Sequence, residues 1–149
     1  LAQTSMEMMM EIVTSSIRPS WDEVWMATAL IISKRSYDPR YQVGTIVVSN
    51  DNTQVLAVGY NGNYAGGPNE VESTDPGESG MIHAEINALL KLDYNNPKKK
   101  VMYVTLSPCR MCAKAIVNSG IDEVVYKEEY RDSSGLDVLR SANIKVRKI

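Results

Sequence analysis

The order in which helical and strand periodicities follow one another constrains the fold of this chain more than any other feature. Ser20 and Glu23 have capping-box spacing just after Pro19, and Val24, Trp25, Ala27, Thr28, Leu30, Ile31 and Ile32 recur at helical intervals. Asp38-Pro39 ends that helix or lies just beyond its end. Two strands are predicted over 43–49 and 54–60, joined by the turn residues Asn50-Asp51-Asn52. Helical spacing returns over 82–92, and a strand follows over 101–106. A helix over 109–119 has Pro108 at its mouth and Gly120 as its stop. A strand over 123–126, a helix over 136–142 and a strand over 144–147 complete the chain. That order predicts the α/β class, a three-layer α/β/α domain with helices covering a mixed five-stranded sheet.

Composition agrees with a single domain. The chain has 149 residues, 44% hydrophobic and 23% charged, enough for one core and too few for two. With no Phe and eight Tyr, tyrosine supplies most of the aromatic packing. We divide the chain at residue 18. Residues 1–18 open with Met6-Glu7-Met8-Met9-Met10-Glu11, which lacks a sustained apolar face, and are read as an N-terminal arm; a partner subunit is one surface such methionines suit. Residues 19–149 form the domain. The chain begins at Leu1, so an initiator, a tag remnant or a processed segment is expected to be missing. No apolar run approaches the roughly 18 residues of a membrane span, and the N-terminus lacks the layout of a secretory signal; a cytoplasmic location is expected. Net charge is −2 and the pI is about 5.4. Proteins that grip polynucleotides present a basic face, whereas here the only basic run is Lys98-Lys99-Lys100, read as a solvated turn. Small molecules are therefore favoured as ligands over nucleic acid or membrane. Residues 61–80, rich in Gly, Asn, Pro and acids, form a long loop of the kind that binds ligands or covers a site.

Only one histidine and two cysteines are present. His83-Ala84-Glu85 opens one predicted helix, and Pro108-Cys109-Arg110-Met111-Cys112 opens the next after a strand. Helix N-termini offer free N–H groups and partial positive charge, which favour the thiolate that a metal requires. Cysteines at i and i+3 share one helical face and can hold one ion. One imidazole, two thiolates and an open fourth position make a catalytic zinc set; a structural site wants four protein ligands, and there is no fourth Cys or His. Glu85, two residues from His83, can reach a water in the open position as general acid and base. The competing reading is a thioredoxin-like Cys-x-x-Cys redox pair, which leaves His83-Ala84-Glu85 unexplained.

The His-x-Glu and Pro-Cys-x-x-Cys signature is shared by the zinc deaminases of the cytidine deaminase superfamily. With Gly59-Tyr60-Asn61-Gly62, His83-Ala84-Glu85-Ile86-Asn87-Ala88 and the run from Met102 through Cys109, the chain from about Trp21 onward resembles the deoxycytidylate (dCMP) deaminases, including those of bacteriophages. Asn87 suits the dCMP and guanine branches rather than the tRNA adenosine branch, and Gly-Tyr-Asn-Gly favours dCMP over guanine. The resemblance implies a cytidine deaminase-like fold over 19–149. It implies hydrolysis of dCMP to dUMP and ammonia, with one zinc on His83, Cys109 and Cys112 and proton transfer by Glu85. It places the Ala84 and Ser107 backbones against the pyrimidine, Asn61 toward the deoxyribose and Tyr130 as an aromatic wall. Read by themselves, Asn61 is also a plain turn residue and Tyr130 a packing tyrosine. Arg110, Lys114, Lys127 and Arg131 are the candidates for the 5′-phosphate. The resemblance further implies a homo-hexamer, activation by dCTP and inhibition by dTTP, with Mg2+ serving only the effectors, and a host-cytoplasm location if the protein is phage-encoded. The chain departs from the family at Asn63-Tyr64, where a proline often follows the motif. It also lacks residues for the second, structural zinc of some relatives. Deamination of guanine or of a tRNA adenosine, a redox role, and a catalytically silent nucleotide-binding role are the alternatives.

Overall fold

The computed structural model describes residues 4–149; Leu1 and the two residues after it lie outside the described residues. Strands β1 (Gly44–Ser49), β2 (Val55–Tyr60), β3 (Lys100–Leu106), β4 (Glu123–Glu128) and β5 (Lys145–Lys148) lie in the order β2-β1-β3-β4-β5. The helices are α1 (Ser5–Thr14), α2 (Trp21–Ser33), α3 (Ala84–Leu89), α4 (Arg110–Asn118) and α5 (Ser134–Ser141). A tight turn suffices between β1 and β2, which pair antiparallel, and β1 is antiparallel to β3 as well. From β3 onward each strand reaches the next through a helix, so β3, β4 and β5 run parallel.

Successive side chains of a strand point to opposite faces, and here both faces are buried. Val47, Met102, Val104, Val124 and Tyr126 pack under α3, α4 and α5 with Ala88, Ile116 and Leu139. Ile46, Val48, Tyr103 and Val125 pack under α2 with Met26, Ala29 and Leu30. Every residue of β1 is buried, as a strand enclosed on both faces requires. This is the predicted three-layer α/β/α arrangement.

Three local features differ from their expectation. Helix α3 stops at Leu89 rather than continuing to residue 92, because Lys91 N–H bonds Ala88 O and Leu92 N–H bonds Leu89 O, the tightened i to i+3 pattern that closes a helix. Leu89 and Leu92 are still buried, which explains the longer apolar period. The methionine-rich segment is a helix capped by a Thr4–Glu7 capping box. Its Met8 and Met9 rest on the α2 cluster while Met6, Met10 and Val13 face solvent, a stripe too narrow to show as amphipathicity. The basic run is not simply solvated. Lys98 Nζ donates to Asp51 Oδ2 and Thr53 Oγ1 at 3.0 and 2.9 Å, and Lys100, buried, donates to the carbonyls of Asn96 and Lys98. Among the described residues no helix is long and apolar enough to cross a membrane.

The sheet edge at β5 is tied to α2 by charge. Both oxygens of Asp22 accept from the Arg147 guanidinium at 2.8 and 3.0 Å, Arg147 Nε donates to Glu123 at 2.7 Å, and the Tyr103 hydroxyl donates to Asp22. The Arg147 hydrogen bonds hold the Asp22 carboxyl below its ordinary value of 3.8. A carboxyl whose folded pKa is depressed contributes fully above its unfolded pKa and loses that contribution as pH falls through the folded one. Asp22→Asn should cost about 1.5–3 kcal/mol at neutral pH, the range for hydrogen bonds to charged groups. In urea unfolding the gap to the parent should close as pH is lowered below about 4; a gap that persists there would assign the loss to packing.

Candidate metal centre and active site

Two helices begin at the same place. His83, in extended conformation, is the N-cap of α3, and Cys109 is the N-cap of α4. Helix α3 reaches this position because it crosses β2 at Gly59, where a Cβ would lie 2.3 Å from Ala84 O and 2.7 Å from Ala88 N. Asn87 locks the approach by donating from Nδ2 to Tyr60 O at 2.9 Å and Ile82 O at 3.4 Å. Helix α4 follows β3 through Ser107 and Pro108, and Cys109 Sγ caps it by accepting from Cys112 N–H at 3.4 Å.

The N-cap side chains meet. His83 Nδ1 lies 3.2 Å from Cys112 Sγ and 3.6 Å from Cys109 Sγ, and the three ligand atoms all fall within 4.8 Å of one another. Bonds of about 2.0–2.3 Å in a tetrahedral zinc site set ligand atoms roughly 3.4–3.8 Å apart, so the set fits that ion. Both cysteines are free thiols. Hydrogen bonding from the Cys112 thiol, and then from His83 and the Cys112 N–H, draws the Cys109 thiol down to about 4. The same contact and burial push Cys112 up, and hydrogen bonding to Cys109 raises His83. A metal binds such thiols as thiolates, so its binding releases protons from the cluster. The redox reading leaves the placement of the His83 imidazole against both sulfurs, beside buried Glu85, without a role.

Glu85, in the first turn of α3, is buried and faces the same pocket as His83 and Cys109. Burial pushes its carboxyl up to about 7, where it can both accept and donate a proton near neutrality. The pocket brings together the residues expected from the sequence: Asn61, Ala84, Ser107 and Tyr130 all line it. The Asn61 carboxamide is already engaged. Its Oδ1 accepts from Val43 N–H at 2.8 Å, and its Nδ2 donates to Tyr41 O at 2.7 Å and Asp38 Oδ2 at 3.5 Å. One lone pair on Oδ1 is left for a ligand. Tyr130 presents its ring to the pocket and donates its N–H to Ser107 Oγ at 2.7 Å. Of the four basic candidates only Arg131 lines the pocket, its guanidinium 5.2 Å above the Tyr130 ring; Arg110, Lys114 and Lys127 lie elsewhere. Arg40 joins it and was not anticipated. It stands in an irregular loop between α2 and β1, and the nearest signal was the Asp38-Pro39 turn before it. Loop residues 73–77 and Ser79 complete the wall, consistent with a binding role for 61–80.

An α/β/α sheet with two helix N-termini holding one imidazole, two thiolates and a buried glutamate defines a class, the hydrolases with an open three-ligand metal. Residues 19–128 match the cytidine and deoxycytidylate deaminase zinc-binding region, and the chain belongs to that family. It is similar to the deoxycytidylate deaminase of Homo sapiens, 36% identical over 122 residues that make up 76% of this chain and 68% of that protein. A Mycobacterium phage deoxycytidylate deaminase is 36% identical over 127 residues, 75% of this chain and 98% of that protein. The crystal structure of the dCMP deaminase of cyanophage S-TIM5 in complex with dCMP and dUMP superimposes with a TM-score of 0.78 at 36% identity, covering 89% of this chain and 99% of that one.

Metal analysis of the purified protein should find one zinc per chain, lost on Cys109→Ala or Cys112→Ala. Because ligand protonation competes with the metal, zinc should be released more readily as pH falls. Two zincs per chain, or a Cys109–Cys112 disulfide with no metal, would overturn the site.

Proposed function

We propose that this chain is a zinc-dependent dCMP deaminase, converting dCMP and water to dUMP and ammonia. The observation that carries this is the convergence of His83, Cys109 and Cys112 beside buried Glu85 in one pocket, on a fold similar to that of a dCMP deaminase solved in complex with dCMP and dUMP. Held by His83, Cys109 and Cys112, zinc supplies the Lewis acidity that makes a water nucleophilic near neutral pH. Glu85 takes one proton from the attacking water at a carboxylate oxygen and gives it to N3 of the cytosine, then takes the second from the hydroxyl now on C4 and gives it to the amine, so that ammonia leaves and the C4 carbonyl forms. Its elevated pKa supports this double use. The Ala84 and Ser107 backbones bracket the ring, Tyr130 forms its aromatic wall, and the free lone pair of Asn61 accepts a sugar hydroxyl. Arg40 and Arg131 take the 5′-phosphate, as the two arginines that line the pocket.

The finer reading follows the family. The chain works in the cytoplasm, where free Cys109 and Cys112 stay reduced, as a homo-oligomer, a hexamer by resemblance. It answers to dCTP and dTTP with Mg2+ through the Gly59-Tyr60-Asn61-Gly62 segment, which joins β2 to the pocket loop. Supplied dUMP serves thymidylate synthesis.

Ammonia release from dCMP, CMP, dCTP, deoxycytidine and guanine, measured side by side and repeated with each effector, tests the assignment. Preference for guanine, or no release from dCMP, would reject it. Glu85→Gln should keep its zinc and lose about 10²–10⁴-fold in turnover. Activity within a few-fold of the parent would move the proton transfer elsewhere. Arg40→Ala and Arg131→Ala should raise KM for dCMP while leaving the weak rate on deoxycytidine in place; equal losses on both substrates would remove the arginines from the phosphate site.

A further inference from the structure

Gly135 sits in the first turn of α5, where its backbone is that of an ordinary helical residue. Glycine is among the poorest helix formers, and packing accounts for it here. A Cβ there would lie 2.1 Å from Pro108 O and 2.9 Å from both the carbonyl carbon and oxygen of Cys109. No carbon tolerates such distances from backbone atoms, so α5 rests its bare Cα directly on the turn that carries Cys109. The same turn is held from its other side. Ser107 N–H donates to Glu128 O at 2.8 Å, and Ser107 Oγ accepts from Tyr130 N–H at 2.7 Å. Leu136 and Leu139, buried on the inner face of α5, anchor the helix in the main core.

We infer that the segment running from the end of β4 into α5 is a brace for the metal centre, with Gly135 and the Ser107 hydroxyl as positioning residues that fix Cys109. The inference rests on the metal site described above. The turn Ser107-Pro108-Cys109 joins β3 to the N-cap of α4, and between those two elements it is gripped by Glu128, Tyr130 and Gly135. The segment that grips it also delivers Tyr130 and Arg131 to the pocket wall. Metal-ligand geometry and substrate-wall geometry therefore share one support.

Gly135→Ala and Ser107→Ala test the brace from its two sides, the first by adding an atom and the second by removing one. Cobalt(II)-loaded protein reports ligand geometry through its visible and thiolate charge-transfer bands, and a chelator competition reports the rate of metal loss. Both variants should shift the cobalt bands and shorten the release half-time by about 10–100-fold, the range for supports of metal ligands. Leu30→Ala, which destabilises the core on the other face of the sheet, should keep parental bands. Parental spectra and half-times in both variants would overturn the brace. If Gly135→Ala is insoluble, Ser107→Ala decides alone, and a parental spectrum there overturns it. If Leu30→Ala shifts the bands as far as the other two, the effect is general loosening and the inference also fails. Failure of the parent itself to bind cobalt or zinc would instead reject the metal site.

Discussion

Two helix N-termini meet side chain to side chain, and the arrangement of the pocket depends on that meeting. Each N-terminus carries roughly half a positive charge on its unpaired N–H groups, so bringing α3 and α4 together is unfavourable unless something electron-rich lies between them. The thiols supply it: Cys109 is drawn toward the thiolate, and its Sγ accepts the Cys112 N–H while touching His83 Nδ1. The pairing that makes the cluster a metal ligand set is also what allows the two helices to open at the same point. Structure and chemistry share the same atoms here.

Around that point the pocket is assembled from segments far apart in sequence. Asp38, Arg40 and Tyr41 come from the α2–β1 connection, Asn61 from the end of β2, and Tyr130 and Arg131 from beyond β4. Asn61 is the tie among the first of these, since its carboxamide bonds Val43, Tyr41 and Asp38 at once. It thereby holds the loop carrying Arg40 as well as lining the pocket. On the opposite side the Ser107 hydroxyl plays the corresponding part, joining the metal turn to the Tyr130 backbone. The polar wall is thus cross-linked by hydrogen bonds, and a buried, partnered wall of this kind keeps its geometry without help from a ligand.

Much of this was legible before any coordinates. The capping box at Ser20 and Glu23, the turn at Asn50-Asp51-Asn52, the helix opened after Pro108 and the long loop over 61–80 are local signals, and each appears where its residues place it. The cluster that could hold a metal was legible for an arithmetic reason: one histidine and two cysteines leave only one way to build a three-ligand His/Cys site. Less visible were features whose cause lies elsewhere in the chain. Lys100 reads as a surface charge until Asn96 and Lys98 carbonyls are found around its ammonium. Arg40 carries no motif, and only the fold brings it beside Arg131.

By itself the sequence determined the element types, the mixed three-layer class and the set of side chains that could hold a metal, because these follow from periodicity, capping chemistry and donor count within short windows. Tertiary structure alone decided which glycines are spacers. Gly59 and Gly135 occupy unexceptional places in a strand and a helix, yet Ala84 O and Pro108 O approach them more closely than any side chain would allow. It also decided which cations reach the pocket, and it turned Asn61 from a turn residue into a cross-link. The physical reason is the same in each case. Backbone contact, burial and hydrogen-bond partnership are properties of pairs of segments brought together by the sheet, and no window along one segment contains both members of the pair.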